Sequence, residues 1–193
     1  MNLELLYVTI YSYILGSIPF GLILTKIFLK KDIRKVGSGN IGATNVLRTG
    51  KKSLGIATLL LDALKAYISI IITLNIFPEF IYVSALICFL GHIFPIWLKF
   101  KGGKGIAVYL GILFAFSSNL GFIFIVSWMI VLLFSRLSSL SSLLATLIIS
   151  TYSIILNNLN MSFLFFIIFA IVVYTHRENI SRIKNKTENK INF

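Results

Sequence analysis

The sequence predicts an all-α fold, a polytopic membrane helix bundle with about seven transmembrane helices. Of its 193 residues, 58% are hydrophobic and only 12% are charged, and the mean hydropathy is +0.94. A soluble domain has far fewer apolar residues than this. The apolar runs are continuous rather than alternating in roughly 10-residue segments, so helices are favoured over a membrane barrel.

The longer apolar runs can each cross a hydrocarbon core of about 30 Å at roughly 1.5 Å per residue. The runs cover residues 3–29, 54–76, 80–98, 106–118, 119–135, 138–156 and 161–175. The first has no short apolar region followed by a small-residue cleavage site, so it predicts a retained helix rather than a signal peptide. The runs at 106–118 and 161–175 are short, and we expect one of them to be partly re-entrant or steeply set.

The helix break at 117–119 is the weakest, so five or six spans remain open beside the favoured seven. The charges support seven. Lys and Arg are grouped in the connectors at 30–52, 99–104 and 136 and in the tail from 177, whereas the N-terminus and the connectors near 77, 118 and 158 have none. With seven spans, every basic connector lies on one face, which the positive-inside rule makes cytoplasmic. The N-terminus is then outside and the C-terminus is cytoplasmic.

This distribution also explains the net charge of +12. A nucleic-acid-binding patch would need a water-facing domain to carry it, and no such segment is evident. We expect a single integral-membrane domain over residues 1–193. The single cysteine, Cys88, excludes an internal disulfide. The two histidines are far apart and lack an acidic or cysteine cluster, so neither a metal nor another cofactor is expected.

Three polar clusters interrupt the apolar pattern, and the topology places all of them on the cytoplasmic face. The first is the loop Gly37–Arg48, GSGNIGATNVLR. Its glycines allow consecutive N–H groups to point at one anion, and Arg48 adds a positive charge. A flexible turn between helices explains this composition equally well. The anion-binding candidates are Ser38, Gly39, Asn40, Gly42, Thr44, Asn45 and Arg48.

The second cluster is Gly91–Gly105, in which Gly102, Gly103 and Gly105 free the backbone around Lys104. This arrangement can place an ammonium group against a phosphate. It is not a P-loop, because a glycine follows the lysine where that motif needs Ser or Thr. Interfacial snorkelling is the alternative for lysines here, and it suits Lys99 and Lys101 better. His92 and Trp97 can be interpreted as interfacial aromatic residues, an interpretation that we favour for Trp97.

The third cluster is His176–Glu188. If this segment is helical, His176 and Asn179 share one face. Together they can orient a hydroxyl or a phosphate, and a histidine can transfer protons near neutral pH. The alternative is a basic juxtamembrane tail lying on anionic lipid, which leaves these two residues unexplained.

Two smaller features accompany the clusters. Asp62 and Lys65 lie three apart in the second apolar run, which predicts an ion pair facing the bundle interior. The pair either supports the site or only stabilises its helix. The segment Arg136–Ser142 offers a cation and four hydroxyl groups. Helix packing through small residues explains most of the serines, and Ser142 is kept as a phosphate-binding candidate.

In this order and spacing, the motifs resemble those of the bacterial integral-membrane glycerol-3-phosphate acyltransferases that use acyl phosphate as donor. The resemblance runs nearly end to end, through GSIPFG at 16–21, LDALK at 61–65, HRENISR at 176–182 and TE at 187–188, besides the glycine clusters. It implies a seven-span fold and a cytoplasm-facing site. The functional positions that carry over are Ser38, Asn45, Arg48 and the glycines of the first loop, Gly102, Gly103, Lys104, Gly105, His176, Asn179 and Glu188. Two departures are Lys186 and Ala66, where the family usually or often has glycine.

The resemblance implies transfer of a fatty acyl group from acyl phosphate to the sn-1 hydroxyl of glycerol 3-phosphate, giving lysophosphatidic acid for phospholipid synthesis at the bacterial cytoplasmic (inner) membrane. No nucleophile with an adjacent base is evident, so we expect direct attack by the substrate hydroxyl. Lys104, His176, Asn179 and Arg48 are the expected catalytic residues. Either His176 or a substrate phosphate oxygen takes the proton.

Two other functions are alternatives for these motifs. A membrane transporter of an organic phosphate could use the same basic, glycine-lined residues, but it predicts functional groups near the midplane of broken helices and an inverted repeat. No repeat is evident. A CDP-alcohol phosphotransferase would need several aspartates on facing helices, which this sequence lacks. The sequence does not indicate the preferred acyl chain or the oligomeric state.

Overall fold

The computed structural model describes residues 2–191, and its regular elements over that range are all helices. This confirms the predicted all-α class. The α-helices are α1 (Leu3–Ser17), α2 (Phe20–Leu29), α3 (Ala43–Leu47), α4 (Lys52–Ile76), α5 (Ile81–Ile93), α6 (Ile106–Phe116), α7 (Ser118–Ser135), α8 (Ser138–Ile155), α9 (Leu159–Thr175) and α10 (Arg177–Lys184). Short 3₁₀ turns occupy Ile33–Lys35, Pro78–Phe80 and Ile96–Leu98.

Five segments are long and apolar enough to cross a membrane, and a sixth candidate is the α9–α10 pair, which bends by 60°. The five are Leu3–Leu29, Lys52–Ile76, Pro78–Leu98, Ser118–Ser135 and Ser138–Ile155. Helix α6 has only 11 residues, which span roughly half of a hydrocarbon core. The chain is therefore a multi-pass membrane protein. The count of seven, which needs both α6 and α9 to cross, stays a prediction.

The chain divides into two compact units, Met1–Ala115 and Phe116–Phe193. We refer to them as the first and second unit. The break between the helices α6 and α7 falls at Ser117, whose backbone is extended, inside the predicted weak boundary at 117–119. The expectation of one integral-membrane domain over residues 1–193 stays a prediction.

In the first unit, the apolar run 3–29 is not one continuous helix. Helix α1 ends at Ser17 because Pro19 follows two residues later. A proline disfavours helical backbone at the residue before it, here Ile18, which is extended. Helices α1 and α5 then approach each other closely through small residues. A Cβ on Gly16 would collide with the carbonyl of Cys88, and a Cβ on Gly91 would lie 2.7 Å from the carbonyl oxygen of Tyr13. Cys88 is itself fully buried.

In the second unit, helices α7, α8 and α9 pack consecutively on one another. The side chains of helix α8 that are buried are mostly hydroxylated, among them Ser139, Ser142 and Ser150. Large apolar side chains point outward instead, with Phe134 89% exposed and Leu159 86% exposed. Hydroxyl groups inside and apolar groups outside are typical of a bundle whose solvent is lipid.

Candidate active site

The first polar loop is organised by the side chain of Asn45, which is 2% exposed. Its Oδ1 accepts a hydrogen bond from the N–H of Ser38 at 2.9 Å. Its Nδ2 donates to three backbone carbonyls of the same loop, those of Ile33, Val36 and Asn40. Asn45 therefore holds the loop closed from inside, and its amide does not point outward toward a ligand.

The backbone of this loop forms the predicted glycine turns but not all of the predicted anion contacts. Gly37 and Gly39 have φ of 57° and 71°, the left-handed region that favours glycine. The N–H of Gly39 donates to the carbonyl of Val36 at 3.0 Å, and that of Ser38 is bound to Asn45. The expectation that these two N–H groups point at an anion is therefore wrong for this conformation.

The side chains that the loop presents are those of Ser38 and Arg48, both exposed. A Cβ on Gly37 would lie 3.2 Å from Cδ of Arg48, so the arginine side chain runs along the glycine turn. Among the other candidates of this loop, Asn40, Gly42 and Thr44 are half-buried. Helix α3, which starts after Gly42, has only five residues, so its dipole adds little to anion binding.

An apolar cluster fixes this loop on the first unit. Its members are Leu22, Ile33, Ile41 and Val46, and Leu98 packs against them. Leu98 lies four residues before Gly102, so the cluster also supports the start of the second glycine loop. The polar residues of the first loop are therefore anchored by buried apolar side chains. This argues against the interpretation of the loop as a flexible turn.

The second loop, Gly102–Gly105, is docked on the C-terminal end of helix α5. The N–H of Gly102 donates to the carbonyl of Ile93 at 2.9 Å, and the N–H of Gly103 donates to that of His92 at 3.1 Å. A Cβ on Gly103 would collide with the imidazole of His92, and Gly105 has a φ of 88°. Gly103 is thus required by its close approach to His92, and Gly105 is required by its backbone conformation. Lys104, which is half-buried, lies between these two glycines.

A buried ionic cluster lies beneath this turn. The predicted pair is confirmed, with Lys65 Nζ 2.7 Å from Asp62 Oδ1. Lys65 Nζ also lies 3.0 Å from Nδ1 of His92. His92 is 4% exposed, so its interpretation as an interfacial aromatic residue is wrong. Sequence reasoning missed it because the partners are 27 positions apart; the available signal was an Asp–Lys pair in one apolar run and a histidine in the next. Trp97, in contrast, is 55% exposed, as expected at an interface.

In the second unit, His176 lies at the 60° bend between α9 and α10. Its Nδ1 is 2.9 Å from the carbonyl oxygen of Val172. A carbonyl can only accept, so Nδ1 carries the proton and the acceptor nitrogen of the neutral ring is Nε2. The backbone of helix α9 therefore selects the tautomer in which Nε2 can take up a proton.

Glu188 binds three side chains of the second unit. Its Oε1 accepts from Asn179 Nδ2 at 2.5 Å and from Ser139 Oγ at 2.7 Å, and its Oε2 accepts from Arg182 Nε at 2.7 Å. Burial alone would raise the pKa of Glu188, but these hydrogen bonds outweigh it and hold the pKa below its ordinary value. These contacts favour a role in anchoring the tail over the direct phosphate contact that we expected of Glu188.

Two further expectations concern the second unit. Ser142 donates to the carbonyl of Ser138 at 2.9 Å and accepts from Trp128 Nε1 at 3.1 Å, contacts that agree with a packing role. Lys186, which stands where glycine is usual in the family that the sequence resembles, adopts a φ of 59°. The turn before Glu188 thus keeps a glycine-like backbone despite the lysine.

No group of three or more His, Cys, Asp or Glu side chains suited to a metal ion occurs among residues 2–191. The expectation that the protein works without a metal stays a prediction.

Comparison with known proteins links these motifs to one family. A family model described as "Glycerol-3-phosphate acyltransferase" matches residues 6–186. A glycerol-3-phosphate acyltransferase of Pelagibacter ubique is 57% identical over 188 residues, which are 97% of this chain and 98% of that protein. A protein with the same description from Mesorhizobium japonicum is 47% identical over 191 residues, covering 99% of this chain and 98% of its own.

The fold is similar to crystal structures of PlsY (YgiH), an integral membrane glycerol 3-phosphate acyltransferase. The TM-score is 0.93 for its glycerol 3-phosphate form, at 36% identity, with 97% of this chain and 96% of that chain covered. For its lysophosphatidic acid form, the TM-score is 0.89 at the same identity, with 97% of this chain and 95% of that chain covered.

Proposed function

Since the chain belongs to the glycerol-3-phosphate acyltransferase family, and is thus a membrane acyltransferase of phospholipid synthesis, we propose that its donor is a fatty acyl phosphate. The acyl group is transferred to the sn-1 hydroxyl of glycerol 3-phosphate, and the products are lysophosphatidic acid and phosphate. The observation that carries the proposal is the docked Gly102–Gly105 loop, which presents Lys104 on a short, rigid backbone. Family membership removes the support for the transporter alternative.

The positive charges suit substrates that both carry phosphate. Arg48 lies along the glycine turn of the first loop, and Lys104 lies in the second. An arginine binds phosphate oxygens as a planar fork, whereas a lysine binds them as a compact point charge. We assign both residues to the phosphate groups. Ser38, which is exposed beside Gly39, adds a hydroxyl group to the same loop.

The reaction needs no covalent intermediate on the protein. An acyl phosphate is already activated, so the C–O bond to phosphate breaks as the glycerol hydroxyl forms the new ester bond. Positioning of the substrates and stabilisation of the developing negative charge supply the rate enhancement. The hydroxyl proton goes either to Nε2 of His176, which the tautomer described above makes an acceptor, or to a substrate phosphate oxygen. Asn179 and Glu188 hold the segment that follows His176.

We place the site on the cytoplasmic side of a bacterial inner membrane, because the basic connectors fall on one face in the seven-span arrangement. Variants with one added cysteine test this orientation, because the native Cys88 is fully buried. A membrane-impermeant maleimide should label Glu79→Cys in intact cells, because Glu79 lies in a connector assigned to the outside. It should label Lys51→Cys only after lysis. The reverse pattern would invert the orientation.

The donor is tested with purified protein in detergent and radiolabelled glycerol 3-phosphate. We expect labelled lysophosphatidic acid when palmitoyl phosphate is the donor and background levels when palmitoyl-CoA replaces it. Failure of palmitoyl phosphate to give product would refute the donor assignment, as would equal rates with palmitoyl-CoA. Prior treatment with EDTA should leave the rate unchanged, and a loss restored by Mg²⁺ would contradict the metal-free mechanism.

The residue assignments are tested by Lys104→Ala and Arg48→Ala in the same assay. Each should lower kcat/KM by at least about 100-fold, because removal of one charge that stabilises developing negative charge costs a factor of this order. Lys101→Ala is the matched control for Lys104, because Lys101 is an exposed lysine three residues away. Equal activity of Lys104→Ala and Lys101→Ala would remove Lys104 from the site.

A further inference from the structure

Three ionisable side chains of the first unit are buried together, although no step of the proposed reaction uses them. Asp62, Lys65 and His92 are 1%, 3% and 4% exposed. Lys65 Nζ lies 2.7 Å from Asp62 Oδ1 and 3.0 Å from His92 Nδ1, and it donates to the carbonyl of Ile18 at 2.6 Å. One ammonium group therefore ties together the break between α1 and α2, helix α4 and helix α5.

These contacts determine the state of the histidine. An ammonium group only donates, so Nδ1 of His92 must accept from Lys65 and the ring proton must be on Nε2. Nε2 is the atom nearest to where a Cβ of Gly103 would lie, so Gly103 packs directly against this edge of the imidazole ring. The ring is thus held from one side by Lys65 and faces the second glycine loop with the other.

The backbone of helix α5 adds a second connection to the same loop. The carbonyls of His92 and Ile93 accept the N–H groups of Gly103 and Gly102. A Cβ on Gly102 would collide with the carbonyl of His92, so the loop lies directly on this helix end. Any rotation of the His92 ring or shift of its backbone is therefore transmitted to the two residues that precede Lys104.

We propose that Asp62, Lys65 and His92 form a positioning set that holds the Gly102–Gly105 loop and fixes where Lys104 is presented. Lys65 locks the ring of His92, Asp62 neutralises Lys65, and the locked ring supports Gly103. The consequence for catalysis rests on the proposed function of Lys104, whereas the effect on the loop does not. An ion pair that only stabilised helix α4 would have no reason to contact the residue on which the loop is docked.

The effect on the loop can be measured directly with a reporter at its tip. In Lys104→Cys, the rate of alkylation of the new thiol by a small maleimide reports how firmly the loop is seated, since Cys88 is fully buried. The test variant adds Asp62→Asn and Lys65→Met together, because removing both charges leaves no lone charge in the interior. The control variant adds Thr73→Val, which deletes a fully buried hydroxyl on the same helix that contacts Tyr11.

We expect alkylation at position 104 to be at least tenfold faster in the Asp62→Asn, Lys65→Met background and to change less than twofold with Thr73→Val. Equal rates in the two backgrounds would overturn the inference. If the double variant does not fold, His92→Gln is the second test, because it removes the imidazole edge and leaves the ion pair intact. Unchanged alkylation in His92→Gln would also overturn the inference.

A kinetic measurement with Lys104 retained separates positioning from general stability. At a temperature where all proteins are folded, the double variant should lose at least tenfold in kcat/KM, whereas Thr73→Val should retain it within twofold even if its Tm falls equally. With Asp62 retained, the single variant Lys65→Arg, which keeps the positive charge, should have a higher kcat/KM than the single variant Lys65→Met. Full activity of the double variant would contradict the inference. Full activity of Lys104→Ala, with loosened alkylation, would instead refute the proposed function of Lys104 and leave the loop-holding role standing.

Discussion

The side-chain amide of Asn179 donates a hydrogen bond to Oε1 of Glu188 at 2.5 Å, which joins helix α10 to the segment that follows it. Arg182 donates to the other carboxylate oxygen, so the two sides of this turn are held by one acidic group. Asn179 follows His176 by less than one helical turn. Glu188 therefore holds Asn179, in the first turn of the helix that starts after His176, although it lies twelve positions beyond that histidine.

Replacing Glu188 with Gln should destabilise this turn, because the new NH₂ group would face the donors of Asn179 and Arg182. The pKa of Glu188 in the folded protein is below its ordinary value of 4.5. The charged form therefore stabilises the fold at pH above 4.5, and this stabilisation is lost as the pH falls through the lower folded pKa. The Tm difference between wild type and Glu188→Gln should be constant above about pH 6 and should shrink below pH 4.5. Glu178→Gln is the control for loss of a carboxylate from the same region, because Glu178 is 75% exposed and its replacement should change the Tm little.

Asn45→Asp should be more damaging than Asn45→Ala. An aspartate cannot donate to the carbonyls of Ile33, Val36 and Asn40, and its charge would be buried against three acceptors. We expect Asn45→Asp to lower the free energy of unfolding by about 2 kcal/mol or more, measured by denaturant titration in mixed micelles. The exposed Asn75, which bonds Ile71, is the control, and Asn75→Asp should cost less than about 0.5 kcal/mol. A more stable Asn45→Asp would contradict the loop-closing role.

His176→Ala should lower turnover by about 100-fold or more while leaving the circular dichroism spectrum unchanged, since general base catalysis contributes roughly 10²–10⁴. The pH dependence of kcat separates the two possible bases. Disappearance of the acidic limb in His176→Ala would identify the histidine, whereas a retained limb would point to a substrate phosphate oxygen. The neighbouring Tyr174, 56% exposed, provides the control variant Tyr174→Phe, which should keep near-normal turnover.

Lys186→Gly should stabilise the protein. The left-handed backbone at Lys186 costs a residue with a Cβ roughly 1–2 kcal/mol. Glycine avoids this cost but loses about 0.5–1 kcal/mol through the greater freedom of the unfolded chain. The net gain should be about 0.5–1 kcal/mol, seen as a rise in Tm. Lys184→Gly, at the last residue of helix α10, should have the opposite sign because glycine weakens helices and the change removes a cation from the last turn. A fall in Tm for Lys186→Gly would show that the lysine side chain contributes more than its backbone costs.

The sequence alone determined the class of fold, the apolar helices, the ion pair between Asp62 and Lys65, and the motifs that lead to the family. Each of these depends on local properties: the length of an apolar run, the three-residue spacing that puts two charges on one helix face, or the glycines around Lys104. The boundary at Ser117 was predicted for the same reason, because polar residues there interrupt the apolar run.

Only the tertiary structure decided which groups those local features meet. It placed His92 against Lys65 from the next helix, and it turned the amide of Asn45 inward so that Ser38 and Gly39 use their N–H groups within the loop. It also brought three hydrogen-bond donors to the carboxylate of Glu188. The physical reason is that a buried polar group must find a partner wherever packing brings one within about 3 Å, and that partner can lie anywhere along the chain.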